Sequence, residues 1–450
     1  MDLPEQVVFL TGKLESAGFE AYAVGGCVRD TLMGRIPSDW DMCTSASPDQ
    51  MKRVFSDMHV VETGLRHGTL TVVLDHVPYE ITSFRLEGAY TDHRRPDSVT
   101  FVTDLREDLS RRDFTVNAMA AGMDGSVIDM FGGQDDISSR LIRCVGDPEE
   151  RFREDALRVL RALRFASVLD FDIEEKTAEA ALKLAPTLSM VSAERISSEL
   201  MKTLCGPGAG RILRRFPGIF TVIIPDLAVM QGYDQNNHHH KYDLWEHTVR
   251  VLENVPPVPD MRLAMLLHDV GKPAVCTKDS WGESHFPGHQ AASEVVARRV
   301  VDDLKLDRAT AERVCLLVRW HDINFHNEQG EPNLTRSFLL RRLNRFGEKD
   351  LRDLIRIHRA DRIGTGISSV EKEDARMKLR MDALDALIEE QACFSLRDLA
   401  VNGRDLTERG FRGREVGETL NALLRAVMDG KADNSRDELL ALLPEPAQKA

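Results

Sequence analysis

Gly25-Gly26-Cys27-Val28-Arg29-Asp30, with Asp39-Trp40-Asp41 nine residues after it, is the part of the chain from which the rest can be read. Before it, Glu20-Ala21-Tyr22-Ala23-Val24 reads as a short strand, and after it Val28 to Met33 reads as one or two turns of helix. A strand that breaks at two glycines and opens a helix presents bare backbone N–H groups, a ready site for phosphate, and Arg29 adds a cation there. Trp40 to Cys43 reads as a second strand on which Asp39 and Asp41, two residues apart, project to one face. Two carboxylates side by side repel unless a cation lies between them. The occupant that suits carboxylates and substrate phosphates together is Mg²⁺, which activates an attacking hydroxyl and steadies a leaving pyrophosphate. Paired glycines alone are also plain turns, and Asp-x-Asp alone is a common surface pattern. Their order, strand then Gly-Gly then helix then Asp-x-Asp, is what carries the reading.

At 450 residues the chain exceeds one ordinary core, so two to four domains are expected. Hydrophobic residues at 42% and charged residues at 29% describe a soluble globular protein. No apolar run approaches the ~20 residues a bilayer span needs, and Met1-Asp2-Leu3-Pro4-Glu5 lacks a basic leader. A cytoplasmic location with no membrane partner is expected. Seven scattered cysteines without Cys-x-x-Cys read as reduced, mostly buried thiols. The net charge of −14 speaks against a nucleic-acid partner, but binding follows local potential. From Arg336 to Arg362 there are eight arginines and Lys349 against four acids, and Arg211, Arg214 and Arg215 form a smaller cluster. Each reads equally as a solvated helix face or as a surface that tracks phosphates.

Pro4 to Ala17 reads as an amphipathic helix. From Phe19 to about Arg143 short β-branched segments alternate with short helices: Thr69 to Leu74, Tyr79 to Phe84, Val99 to Val102 and Val127 to Met130. Beyond Asp147 helical periodicity takes over, first in Glu154 to Leu169, then in Glu174 to Leu184 and Ser192 to Leu204, and onward to Val370 to Glu390. Between Thr335 and Arg362 the pattern gives two helices, Thr335 to Asn344 and Lys349 to Arg362. Leu86 to Ser98 is polar and unpatterned and reads as a mobile loop. Pro256-Pro257-Val258-Pro259 is a stiff connector, and Pro444 onward reads as a frayed tail.

Ala23 to Thr44 resembles the first motif of bacterial CCA-adding tRNA nucleotidyltransferases and their poly(A) polymerase relatives, within the polymerase-beta superfamily. Glu80, on the strand Tyr79 to Phe84, supplies a third carboxylate beside Asp39 and Asp41 or is simply a surface strand residue. Arg111-Arg112-Asp113-Phe114-Thr115-Val116-Asn117-Ala118, ahead of an expected helix, reads either as a cap with salt bridges or as a nucleotide contact. It is similar to the family's second motif, which implies Arg112 on the triphosphate and Asp113 or Asn117 on ribose hydroxyls. Asp129-Met130-Phe131-Gly132-Gly133-Gln134-Asp135-Asp136 resembles the family's hinge. From Arg153, Asp155, Arg158, Arg161 and Arg164 follow one another at i, i+3 along one helix face. The resemblance implies that Asp155 and Arg158 read the incoming base as a template strand would, with Arg161 and Arg164 ordering that face or holding phosphates. Cytosine and adenine present an amino donor where guanine and uracil present a carbonyl, so an ionised Asp155 accepts CTP and ATP and rejects GTP and UTP.

In the second half, His247, His268-Asp269 and Asp361 look like an HD-type phosphohydrolase fold, in which two His and two Asp bind a divalent metal. Imidazole with carboxylate suits Ni²⁺, Mn²⁺, Fe²⁺ or Zn²⁺, and His285, His289 and His321 are candidates to extend the site. Family members also keep this framework as scaffold alone. His238-His239-His240 reads as loop.

The expected fold class is α+β: a polymerase-beta-like nucleotidyltransferase head of mixed sheet and helices, then an all-α neck, body and tail with an HD-type helical domain. The boundaries are 1–143 for the head, 144–232 for the neck with the base-recognition helix, 233–365 for the HD-type domain and 366–450 for the tail. The expected activity is template-independent addition of C, C and A to the 3′ end of tRNA from CTP and ATP, with pyrophosphate released. Asp39, Asp41 and Glu80 would be catalytic with Mg²⁺, and Gly25, Gly26, Arg29 and Arg112 would hold the triphosphate. The alternatives are a CC-adding or A-adding enzyme or a poly(A) polymerase of the same fold, an HD phosphohydrolase, and a silent RNA-binding protein. The loop Leu86 to Ser98 favours the complete activity, because the resemblance implies that CC-only relatives shorten it.

Overall fold

The computed structural model describes residues 1–65, 68–88 and 99–443. The chain divides into two compact units, Met1–Ala228 with Pro257–Arg262 and Arg299–Arg308, and Val229–Pro256 with Leu263–Arg298 and Ala309 onward.

The first unit is built on a mixed seven-stranded sheet in the order His59–Val61, Thr69–Leu74, Val77–Ser83, Met42–Thr44, Ala21–Val24, Met119–Ala121, Val127–Asp129. Side chains alternate across it with the strand period of two. Ala21, Ala23, Met42, Met119 and Ala121 enter one core with Val7, Leu10 and Leu14 of the helix Glu5–Ser16, while Val24, Cys43 and Ala120 enter another with Phe84, Leu105 and Leu109. The central strands are thus buried on both faces, as their unbroken apolar runs require.

Three expectations are corrected here. The stretch after Asn117, expected to be helix, is the strand Met119–Ala121; full burial between two strands overrides the helix preference of its alanines and methionine. The strand after Trp40 begins only at Met42, so Asp39 and Asp41 precede it. The helix Glu154 to Leu169 is two helices, Pro148–Glu154 and Leu157–Leu169, separated at Asp155, whose φ of −136° and ψ of 107° are extended. In the expected loop, Arg85–Glu87 pairs with Val99–Phe101 as a two-stranded ribbon, and residues 89–98, like those from Pro444 onward, lie outside the described residues.

Among its described residues the second unit is helical apart from one two-stranded ribbon, Thr277–Lys278 with Ser284–His285, and an isolated bridge between His326 and Pro332. The helix assigned to Arg336–Gly364 is broken at Gly347 (φ 74°), where the sequence separates two helices. At its end Gly364 lies against Leu244–Glu253; a Cβ there would run into Val251 and the His247 ring, so glycine is what lets Asp361 approach His247. Among the described residues no helix is long and apolar enough to cross a membrane.

Candidate functional site

Gly25 has φ 84° and ψ −128°, a conformation closed to residues with a Cβ, and a Cβ there would also come 3.0 Å from Arg112 Nη1. Its amide donates to Met119 O (3.1 Å), so Gly25 N is already engaged and the turn passes straight into the helix Gly26–Leu32. The half-buried Arg112 lies beside this turn, 3.4 Å from the Oδ2 of the buried Asp108.

The three head carboxylates are brought together by register. Met42 pairs with Ile81 in parallel, so Asp41 and Glu80 stand one step before that pair, with Asp39 in the exposed approach to the strand. Removal from water raises the Asp41 carboxyl to about 6, the Asp39 and Glu80 charges add to this, and Arg112 opposes it. More than a third of Asp41 stays open to solvent, which makes the shift a statement about crowded like charge more than about depth. An all-oxygen set of this kind fits a hard divalent cation such as Mg²⁺. Since Asp41 holds its proton more tightly folded than unfolded, its contribution to stability is present below pH ~3.8 and is lost as pH rises through about 6. Asp41→Asn is therefore expected to stabilise the protein in chelator at pH 7 by up to ~1.5 kcal/mol, the full shift being halved for solvent screening, and by nearly nothing at pH 4. Melting temperatures of both proteins at the two pH values test this; an equal difference at both sinks it.

Asp113 and Asn117, expected at a ribose, are engaged inward. Arg29 Nη1 donates to Asn117 Oδ1 (2.5 Å), Asn117 Nδ2 donates to Asp113 Oδ1 (3.3 Å), and Arg161 Nε donates to Asp113 Oδ2 (2.7 Å). Burial would push the Asp113 carboxyl up, but the Arg161 and Arg158 guanidinium groups hold it below the usual range. This chain of bonds ties the helix that follows the glycine turn to the helix Leu157–Leu169. The guanidinium carbons of Arg29, Arg161 and Arg164 lie 5.3, 5.3 and 4.1 Å from the centroid of Phe165, which meets Phe114 edge-on at 5.6 Å. The ring's quadrupole attracts each of these cations.

Asp155 is not on the arginine face of a continuous helix. Its Oδ1 caps Leu157 N (3.0 Å) and its Oδ2 accepts from Arg195 Nη2 (2.6 Å). Arg158 is bonded to Glu154 and to the carbonyls of Arg151 and Arg111. Glu199 lies on the same later helix as Arg195, Ala193–Cys205, and holds Arg164 (3.1 Å). Sequence reasoning missed Arg195 and Glu199; their i, i+4 spacing on an amphipathic helix is the only local signal, and it does not point to residues about 40 positions away.

In the second unit His247, His268, Asp269 and Asp361 offer ligand atoms that all lie within 4.8 Å of one another, and so do Asp269, His289 and His321. The head trio is not as tightly gathered among the described residues, as expected of mutually repelling carboxylates. Burial would lower the His268 imidazole, but Asp269 and Asp361 carry it up to about 10. His285 is bonded to Asp279 (3.1 Å) and stands outside the cluster. Imidazole and carboxylate together fit a borderline divalent ion.

Comparison with known proteins agrees with this layout. A family profile for the poly(A) polymerase head domain matches residues 21–143, one for its probable RNA- and SrmB-binding segment matches 170–230, and one for tRNA nucleotidyltransferase domain 2 matches 289–443. The chain is 33% identical over 437 residues to the CCA-adding enzyme of Lactobacillus helveticus, covering 95% of this chain and 93% of that protein. The CCA-adding enzyme of Leuconostoc mesenteroides is 53% identical over 202 residues, 45% of this chain and 50% of that one. The crystal structure of the Bacillus stearothermophilus CCA-adding enzyme in complex with CTP superposes with a TM-score of 0.70 at 30% identity, covering 98% of this chain and 97% of that one. Similarity that runs almost end to end in both sequence and fold makes this chain a member of the CCA-adding enzyme family of tRNA nucleotidyltransferases.

Proposed function

We infer that this protein adds C, C and A to the 3′ end of tRNA from CTP and ATP and releases pyrophosphate. The observation that carries the reading is the register that sets Asp41 beside Glu80, next to Asp39 and in front of Arg112, at the edge of the glycine turn. The RNA 3′-oxygen forms the new bond to the α-phosphorus as the bond to the pyrophosphate breaks, and the hydroxyl proton is lost. Asp39 and Asp41, with Glu80, hold the divalent cation, Mg²⁺ in our reading. When bound, that ion supplies charge neutralisation and lowers the pKa of the attacking hydroxyl. Gly26, Arg29 and Arg112 bind the triphosphate. Asp155 and Arg158 select the base, with Arg195 fixing the direction in which Asp155 points. Asp113 and Asn117 act by ordering Arg29 and Arg161, and each is also within the motif that meets the ribose. Product length on tRNA transcripts ending before C, after C and after CC tests the reading. CCA followed by arrest supports it, and C addition alone, A addition alone or a long A tail each assigns a sister activity.

Most of the arginines between Arg336 and Arg362 are tied to acids of this chain, Arg352 to Asp385, Arg356 to Asp353 and Arg359 to Asp374 among them. Arg342 and Arg345 instead lie over Phe338 and Trp320, at 4.9 and 3.9 Å, and with Arg341 they line a cleft of about 470 Å³. This is the segment we assign to tRNA. Neutralising Arg341, Arg342 and Arg345 together is expected to weaken tRNA binding about tenfold or more and to flatten its salt dependence, with nucleotide choice unchanged. Filter binding at several salt concentrations measures both, and an unchanged salt slope removes the segment from the interface.

A second activity is favoured by the clustering of His247, His268, Asp269 and Asp361, which we read as an HD-type site for a transition-metal ion.

A further inference from the structure

We propose that Asp108 is a positioning residue for nucleotide addition: its buried carboxylate holds the Arg112 guanidinium at the glycine turn, where that group meets the triphosphate of CTP or ATP. This rests on the reading of Arg112 as a triphosphate contact.

Asp108 lies on the helix Leu105–Ser110 and is 0% exposed. Leu105 and Leu109 of the same helix enter the core with Val24, Cys43 and Ala120, so the helix is fixed against the strands that carry the site. A carboxylate buried at such a place is costly unless it is paired and hydrogen-bonded. Asp108 is paired twice. Arg111 donates to Oδ1 from Nε (2.9 Å) and Nη2 (2.7 Å), and Arg112 donates to Oδ2 from Nη2 (3.4 Å). Oδ1 also accepts from the backbone of Arg85 (3.4 Å), the first residue of the ribbon Arg85–Glu87.

The two arginines are held differently. Arg111 has two short bonds to one oxygen, whereas this long contact is the only side-chain hydrogen bond of Arg112 among the described residues, and its buried Nε has no partner. The same guanidinium stands at the glycine turn, since a Cβ on Gly25 would come 3.0 Å from Nη1. Arg112 thus lies between Asp108 and the turn with donors unspent, and a guanidinium with free donors is suited to phosphate oxygens. Removal from water works against its charge; of the influences that raise it Asp108 is the largest, with Cys43 and Asp41 behind. One carboxylate between two guanidinium groups leaves one positive charge unmatched, the sign a triphosphate needs. Asp41 is a second carboxylate whose ionised form Arg112 favours. Without the Asp108 charge, Asp41 is left to draw Arg112 away from the triphosphate and onto itself. Asp108 therefore acts through Arg112 and does not touch the nucleotide.

The test is a double-mutant cycle between Asp108→Asn and Arg112→Ala in the full-length chain. It is read by equilibrium dialysis of CTP and of ATP without tRNA, and by single-turnover addition of A to a tRNA ending in CC. Each single substitution should weaken CTP and ATP alike by about tenfold, with the rate at saturating ATP kept within about twofold, the pattern of lost uniform binding. The double variant should bind no more weakly than Arg112→Ala alone, because residues that act as one unit are not additive. Losses that multiply in the double variant overturn the proposal. So does a loss in Arg112→Ala that Asp108→Asn does not share, which leaves the triphosphate reading standing; an Arg112→Ala chain that binds both nucleotides like wild type overturns that reading and the proposal with it. Arg111→Ala removes the other partner of the same carboxylate and should leave nucleotide binding within about twofold. Should Asp108→Asn fail to melt cooperatively, this variant decides: binding kept with Arg111→Ala and lost with Arg112→Ala supports the positioning role, and equal losses overturn it.

Discussion

Asp41→Asn is expected to lower the rate of nucleotide addition by about 10³-fold, the several kcal/mol that a metal ion contributes to stabilising charge in such a displacement. The substitution keeps the shape of the side chain and removes its charge, so Asp39 and Glu80, the other carboxylates we assign to the ion, remain with a reduced total charge. Because Asp41 precedes the strand Met42–Thr44, which is buried on both faces, the fold of the head tolerates the change. His268→Ala, by contrast, should leave addition at its wild-type rate. Single-turnover extension of a tRNA ending in CC with ATP measures both. Equal losses in the two variants would show that the two sites do not work independently.

The second large effect falls on selectivity. Asp155→Ala removes the one carboxylate assigned to the amino groups of cytosine and adenine, and the preference for CTP and ATP over GTP and UTP should fall by about 10²–10⁴ in kcat/KM, the range over which an unmatched polar contact discriminates. Arg195→Ala leaves the carboxylate in place but frees it from the 2.6 Å bond that directs it. Its effect should be smaller, roughly tenfold, in the same direction. Incorporation of each of the four nucleotides by the two variants reads this out. An Arg195 variant that loses rate with all nucleotides equally would make Arg195 a structural residue only.

What could be read from the sequence was what local chemistry decides. Gly25 needs a positive φ and the carboxylates near it need a cation, and both demands are visible within a few residues. The gap between the expected helices Thr335 to Asn344 and Lys349 to Arg362 likewise falls where the backbone breaks, at Gly347. The strand Met119–Ala121 was not visible, because its alanines favour helix in isolation and become strand only between two partners. The break at Asp155 was hidden by an apolar periodicity that continues through it; the residue leaves the helix because its carboxylate is held by Leu157 N and Arg195. The four residues of the HD pattern were found by their motif. That Asp269 faces two histidine pairs could not be, since His289 begins one helix and His321 follows another, and only packing brings them to a common carboxylate.

The first unit is made from three separate stretches of chain, the last of which ends at Arg308. Leu304 from that stretch is buried and faces a cleft lined by Leu188, Ile196, Val222 and Ile223. During synthesis from the N-terminus these side chains therefore wait, exposed, while about eighty further residues are made. Ribosomes that have passed residue 228 carry an unfinished apolar surface, and the order of translation makes completion of the nucleotide-adding half depend on segments encoded within the histidine-rich half.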